Sequence, residues 1–135
     1  MACMTTRSLR GSLLSALALL AVPAAVTACG SSSSSSNTVP ADVGLEVIAG
    51  PGIRWDKSDY TATAGTVKVA LLNRDDQLHT MVIRAADGTV EPPGELEVAK
   101  SGALKTGEYT LAAGTYKILC LIPGHENMKA TLTVK

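Results

Sequence analysis

The chain has 135 residues, 46% of them in the AVILMFWYC set, and its 12 Lys and Arg balance 12 Asp and Glu. That length allows one ordinary domain, and zero net charge without a basic block leaves nothing to neutralise phosphates, so nucleic acid is not expected as a partner. Trp55, Tyr60, Tyr109 and Tyr116 are the only aromatics, which leaves the core to Val, Leu, Ile and Ala.

At the N-terminus Arg7 and Arg10 precede an apolar run from Leu13 to Val26, and Thr27, Ala28 and Cys29 follow. Basic, then apolar, then small residues read as a secretory signal over residues 1–28, too short and wrongly flanked for a membrane span. The ending on Cys29 resembles the bacterial lipobox. That resemblance implies acylation of Cys29 and an exported protein, lipid-anchored to the cell membrane on its periplasmic or extracytoplasmic side. Cys3 leaves with the signal. Removing 28 residues and their two arginines leaves 107, with 10 basic against 12 acidic side chains. Gly30 and the six serines Ser31 to Ser36 follow. So uniform a polar stretch buries too little surface to offset its ordering entropy, so residues 29–41 are read as a flexible tether and 42–135 as the folded domain.

Within that domain the apolar spacing has period two. Val67, Val69 and Leu71 alternate with Lys68 and Ala70; Tyr116, Ile118 and Cys120 with Lys117 and Leu119; Ala130, Leu132 and Val134 with Thr131 and Thr133. Turn signals at Gly50-Pro51-Gly52, Ala64-Gly65, Asp87-Gly88, Pro92-Pro93-Gly94, Thr106-Gly107, Ala113-Gly114 and Pro123-Gly124 separate the strands. Strands are predicted near 44–49, 59–63, 66–72, 79–84, 95–99, 107–111, 115–120 and 129–134. The strand signal is weakest over 85–106, where a short helix or an irregular loop is the alternative. The fold class is all-β, a Greek-key sandwich or barrel of seven to eight strands. Arg74, Asp75 and Asp76 read as a solvated turn.

Once Cys3 is removed and Cys29 acylated, Cys120 is the one thiol left, without an intramolecular disulfide partner. In an oxidising compartment such a thiol needs burial, a reactive role or a metal. Both histidines of the chain lie at strand ends, His79 at the start of one and His125 five residues after Cys120, with Met128 three residues further on. Pro123 and Gly124 supply a preset and a permissive φ for a tight turn that folds His125 back toward the sulfur. One loop between two strands thus presents a thiolate, an imidazole and a thioether, and His79 from a neighbouring strand completes the set. Two imidazoles, one thiolate and a weak thioether suit copper in electron transfer. Zinc could bind the same groups, although structural zinc sites more often use cysteine pairs. A nucleophilic Cys-His pair would need an orienting residue and a cleft, and no sequence signal marks either, so the chain is not read as an enzyme.

Three segments resemble the cupredoxins, the blue (type 1) copper family that includes plastocyanin, azurin and amicyanin. They are Val69 to Asn73 with His79 to Ile83, then Tyr109 to Cys120, then Pro123 to His125 through Lys129 to Val134. The resemblance implies the cupredoxin fold, one type 1 copper ion, His79, Cys120 and His125 as equatorial ligands and Met128 as axial ligand. Two departures stand out. Only Glu126 and Asn127 separate His125 from Met128, where many relatives have three or four residues, so Glu126 is an alternative axial ligand. Thr80 stands where relatives commonly place Asn; its hydroxyl can hydrogen-bond to backbone beside Cys120, and Asn73 is a further supporting residue. Met81, Trp55 and Tyr116 are read as packing.

The function so implied is a membrane-tethered carrier of single electrons between a redox-protein donor and acceptor. The protein is expected to be a monomer, meeting partners transiently through Leu121, Ile122 and Pro123. A copper storage or delivery protein using the same residues is the alternative, and a metal-free interaction sandwich a third possibility.

Overall fold

The computed structural model describes residues 38–135, so the secretory signal, Cys29 and the serine stretch lie outside the described residues. Nine strands follow in chain order: β1 (Leu45–Gly50), β2 (Arg54–Trp55), β3 (Asp59–Ala62), β4 (Gly65–Asn73), β5 (His79–Arg84), β6 (Leu96–Val98), β7 (Leu104–Leu111), β8 (Gly114–Leu119) and β9 (Lys129–Val134). They form two sheets, one ordered β2-β1-β4-β7 and the other β3-β9-β8-β5-β6. The described residues are all-β.

Alternation explains which side chains fill the space between the sheets. Val47, Val69, Leu71, Tyr109 and Leu111 come from one sheet and Met81, Ile83, Ile118 and Leu132 from the other, all fully buried in one cluster. Each aliphatic side chain so buried contributes about 1.5–3 kcal/mol relative to exposure. Trp55 and Tyr116 join this cluster at its edges. Strand β4 breaks the simple alternation because Ala70 and Leu72 are buried as well. Its far end is covered on both faces, with Asn73 exchanging backbone hydrogen bonds with Gly102 and Ala103.

The pairing is mixed. β1 lies parallel to β4 and β3 parallel to β9, while the other pairs are antiparallel. Parallel neighbours cannot be joined by a hairpin, so each of these pairs joins strands distant in the chain.

Three features differ from the sequence reading. Among the described residues there are nine strands rather than seven or eight, the addition being the two-residue β2, too short to carry a periodic signal. The strand predicted near 95–99 is present as β6, with no helix in 85–106, and the second difference is that β7 starts at Leu104 rather than 107. The third concerns the turn at Arg74 to Asp76: Asp75 is buried rather than solvated.

The register fixes which strand ends meet. β5 and β8 are antiparallel with Val82 opposite Leu119, so the start of β5 and the end of β8 lie at one end of the sandwich. β9 begins there too, since Leu119 pairs with Lys129. β4 ends in Asn73, whose side chain donates to the backbone oxygen of Val98, the β6 residue opposite His79. Segments remote in sequence therefore converge at this end.

Candidate metal centre

His79 opens β5, Cys120 follows the last residue of β8, and His125 sits in the loop leading to β9. One potential donor atom from each lies within 4.8 Å of the other two. All three residues are buried, His79 completely and His125 at 6% exposure. The sulfur of Cys120 stands 3.7 Å from Nδ1 of His125, and the two imidazole centroids are 5.0 Å apart with their planes tilted by 43°. Cys120 is in no disulfide. Nδ1 of His79 is one of three buried side-chain polar atoms, among the described residues, that have no hydrogen-bond partner. A buried nitrogen without a partner costs free energy unless something binds it. In a residue grouped with a cysteine sulfur and a second imidazole, it fits a metal ion.

The loop from Cys120 to Met128 is closed by its own backbone. The N–H of His125 donates to the oxygen of Ile122 at 3.0 Å across a turn whose central residues are Pro123 and Gly124, and Gly124 has φ +89°. Proline at the first and glycine at the second central position is the composition such a turn demands. The N–H of Met128 donates to the oxygen of His125 at 2.8 Å, and the N–H of Cys120 to the oxygen of Met128 at 3.1 Å. Met128 is buried, at 1% exposure. Glu126 is exposed, and its carboxylate accepts the Gly124 N–H at 3.0 Å. Backbone N–H groups, that of Gly124 foremost, hold its carboxyl below the usual carboxylate range, with His125 contributing less. The Glu126 side chain is thus engaged on the outside of the loop.

Thr80 links the ligand strands. Its hydroxyl accepts the N–H of Leu121 at 3.1 Å, and the same oxygen is 3.9 Å from the sulfur of Cys120. Asn73 acts one step further away. Its side-chain amide donates to the oxygens of Gln77 and Val98, and its carbonyl accepts the N–H of Asp75. This brace presents Asp75, whose Oδ2 lies 3.1 Å from Nε2 of His79. Burial pushes the Asp75 carboxyl up, but hydrogen bonds from the Asp76 backbone and the His79 ring outweigh it and leave it below the usual range.

Asp75 stands against the candidate centre, and sequence reasoning did not single it out. Its one signal was the spacing of four residues before His79, and two charged neighbours disguised it as part of a surface turn. Around the loop, Leu121 is 46% exposed and Pro123 exposed, while Ile122 is half-buried and packs on the core. The apolar rim is therefore narrower than its three residues suggest.

No protein-family model and no curated protein matches the chain. Solved structures do. A dithionite-reduced auracyanin from the photosynthetic bacterium Roseiflexus castenholzii is 24% identical, with a TM-score of 0.55 over 67% of this chain and 95% of its own. Auracyanin A, a "blue" copper protein from Chloroflexus aurantiacus, is 23% identical with a TM-score of 0.54 over 67% and 96% of the two chains. A purple cupredoxin from Nitrosopumilus maritimus is 17% identical with a TM-score of 0.54 over 67% and 99%. The architecture is that of the cupredoxins. This chain has the cupredoxin fold.

Proposed function

We propose that the protein is a blue copper electron carrier, with copper held by His79, Cys120 and His125 and, more weakly, by Met128. The observation that carries this reading is the meeting of three buried donor residues within 4.8 Å, one of them a histidine whose Nδ1 has no hydrogen-bond partner. Copper at such a site supplies a one-electron Cu(I)/Cu(II) couple.

The chain's own residues supply the rest. The turn at Pro123 and Gly124 holds the His125 ring in place, and the bond between Thr80 and Leu121 fixes the segment that carries Cys120. Ligands clamped in this way need little rearrangement when the charge at the site changes by one. Burial keeps water and oxidants from the sulfur. Burial of Met128, against the outward engagement of the Glu126 carboxylate, favours the thioether as axial donor. Leu121 and Pro123, with the edge of Ile122, offer a small apolar contact near His125, suited to partners that bind briefly and leave. Electron transfer of this kind needs no substrate cleft, and the protein acts as a monomeric carrier rather than an enzyme. The basic, apolar and small residues ending on Cys29 support export and lipid anchoring, with residues 29–41 as the tether to a membrane surface.

Titrating the purified protein with Cu(II) should give one equivalent of tight binding and intense visible absorption that Cys120→Ala abolishes. Full occupancy by Cu(II) without colour would overturn the reading. Reversible reduction by a small redox partner is expected; copper passed intact to an apo acceptor, without electron exchange, would instead mark a storage or delivery protein. Cys29→Ala should release the protein from the membrane fraction, and retention there would refute the lipid anchor.

A further inference from the structure

Asp75 occupies a position that surface aspartates do not. It is buried, and both carboxylate oxygens are committed: Oδ1 accepts the backbone N–H of Asp76 at 2.9 Å and Oδ2 faces Nε2 of His79 at 3.1 Å. Its backbone is pinned by the 2.8 Å bond to Asn73, itself tied to Gln77 and Val98. A carboxylate can only accept, so Nε2 must carry the ring proton. In the neutral ring Nδ1 is then left with a bare lone pair, and Nδ1 is one of the buried atoms that no protein group satisfies.

We propose that Asp75 is a positioning residue for the metal centre: through Nε2 it fixes the tautomer and direction of His79 and makes Nδ1 a stronger donor, favouring Cu(II) over Cu(I). The proposal rests on the copper reading above. Two physical effects act together. The hydrogen bond removes the wrong tautomer and the ring's freedom to turn, as outer partners of metal-bound histidines do. The negative charge, close to the ring in a poorly solvated place, pushes electron density onto the imidazole and stabilises the more highly charged ion. The two histidines are therefore unequal: His79 is deep and held by an anion, whereas His125 sits in the loop and is reached from the surface.

Asp75→Asn is the discriminating variant, because asparagine has nearly the same shape but only one acceptor oxygen and no charge. Turned one way, its amide confronts Nε2 and favours the tautomer with Nδ1 protonated; turned the other way, it loses the Asp76 bond. The purified variant should bind Cu(II) ten- to hundred-fold more weakly, the range typical of such partners, with a smaller loss for Cu(I). The reduction potential should rise by about 59 mV for each tenfold by which the Cu(II) loss exceeds the Cu(I) loss. A potential equal to that of the unaltered protein would overturn the proposal.

A second measurement is independent of copper and of any variant's folding. Nitrogen-15 NMR of the metal-free protein should show the neutral His79 ring protonated at Nε2 and bare at Nδ1; the opposite tautomer, with its proton on Nδ1 alone, would sink the idea. Should the unaltered protein bind no copper, the electron-carrier reading fails, and the NMR result still decides whether Asp75 sets the ring.

Discussion

The hydroxyl of Thr80 accepts the backbone N–H of Leu121 at 3.1 Å, joining residues 41 positions apart. One partner follows a histidine donor and the other follows the cysteine, so this single bond fixes the spacing of the segments that bear the site.

Thr80→Val keeps the shape of the side chain but strands the Leu121 N–H. It should cost about 1–3 kcal/mol, read as a lower denaturation midpoint, whereas Thr80→Ser should retain most of the stability. Equal stability of the valine variant and the unaltered protein would show that the bond contributes nothing.

Gly124 tests the turn that carries His125. Its φ of +89° lies where an L side chain is strained, although an added Cβ would meet no atom within 4 Å. Gly124→Ala should therefore destabilise the fold by about 1–3 kcal/mol through backbone strain alone, and weaken copper binding by displacing the ring. Unchanged thermal midpoint and unchanged affinity would contradict this account of the loop.

The axial assignment separates two neighbouring residues. Met128→Gln replaces a soft sulfur by a harder oxygen donor, which favours Cu(II), and the reduction potential should fall. Glu126→Gln should leave the potential and the visible spectrum nearly as they were, since its carboxylate faces the Gly124 N–H on the outside. A large shift on altering Glu126 together with none on altering Met128 would reverse the assignment.

Alkaline stability follows from two buried phenols. Burial pushes the Tyr109 hydroxyl, which donates to the Gly94 oxygen at 2.8 Å, up to about 12. Tyr60 is raised still more, first by burial and then by Asp56, whose carboxylate accepts its proton at 2.6 Å. Both folded-state values lie above the unfolded value of about 10, so their stabilising contribution is complete below that pH and is lost as pH rises through the folded-state values. Phenolate absorbance should thus lag behind that of free tyrosine and climb with unfolding above pH 10. Ionisation of all three tyrosines near pH 10 in a still-folded protein would disprove the account.

Chemistry was legible in the chain wherever a residue type is rare or a pattern repeats. The period-two runs through Val67, Tyr116 and Ala130 gave the sheets, because a half-buried strand must alternate. Cys120, His125 and Met128 stood out because a proline-glycine turn limits how far a nine-residue segment can spread. Even the hydroxyl of Thr80 could be assigned its task, through the resemblance to cupredoxins, which commonly place Asn there.

Folding alone decided the rest, through contacts that have no periodicity. β2 is two residues long and exists because β1 offers it backbone partners; β7 extends to Leu104 because β4 continues beside it as far as Leu72. Asp75 is tied to β6, a different part of the chain, through Asn73, which also bonds Val98, and that long-range relation leaves no mark in local sequence. What the residues determined by themselves was which atoms are fit to grip a metal. Only the packed sandwich determined that His79 and Cys120, forty-one residues apart, stand at one place, and that an anion waits behind the ring.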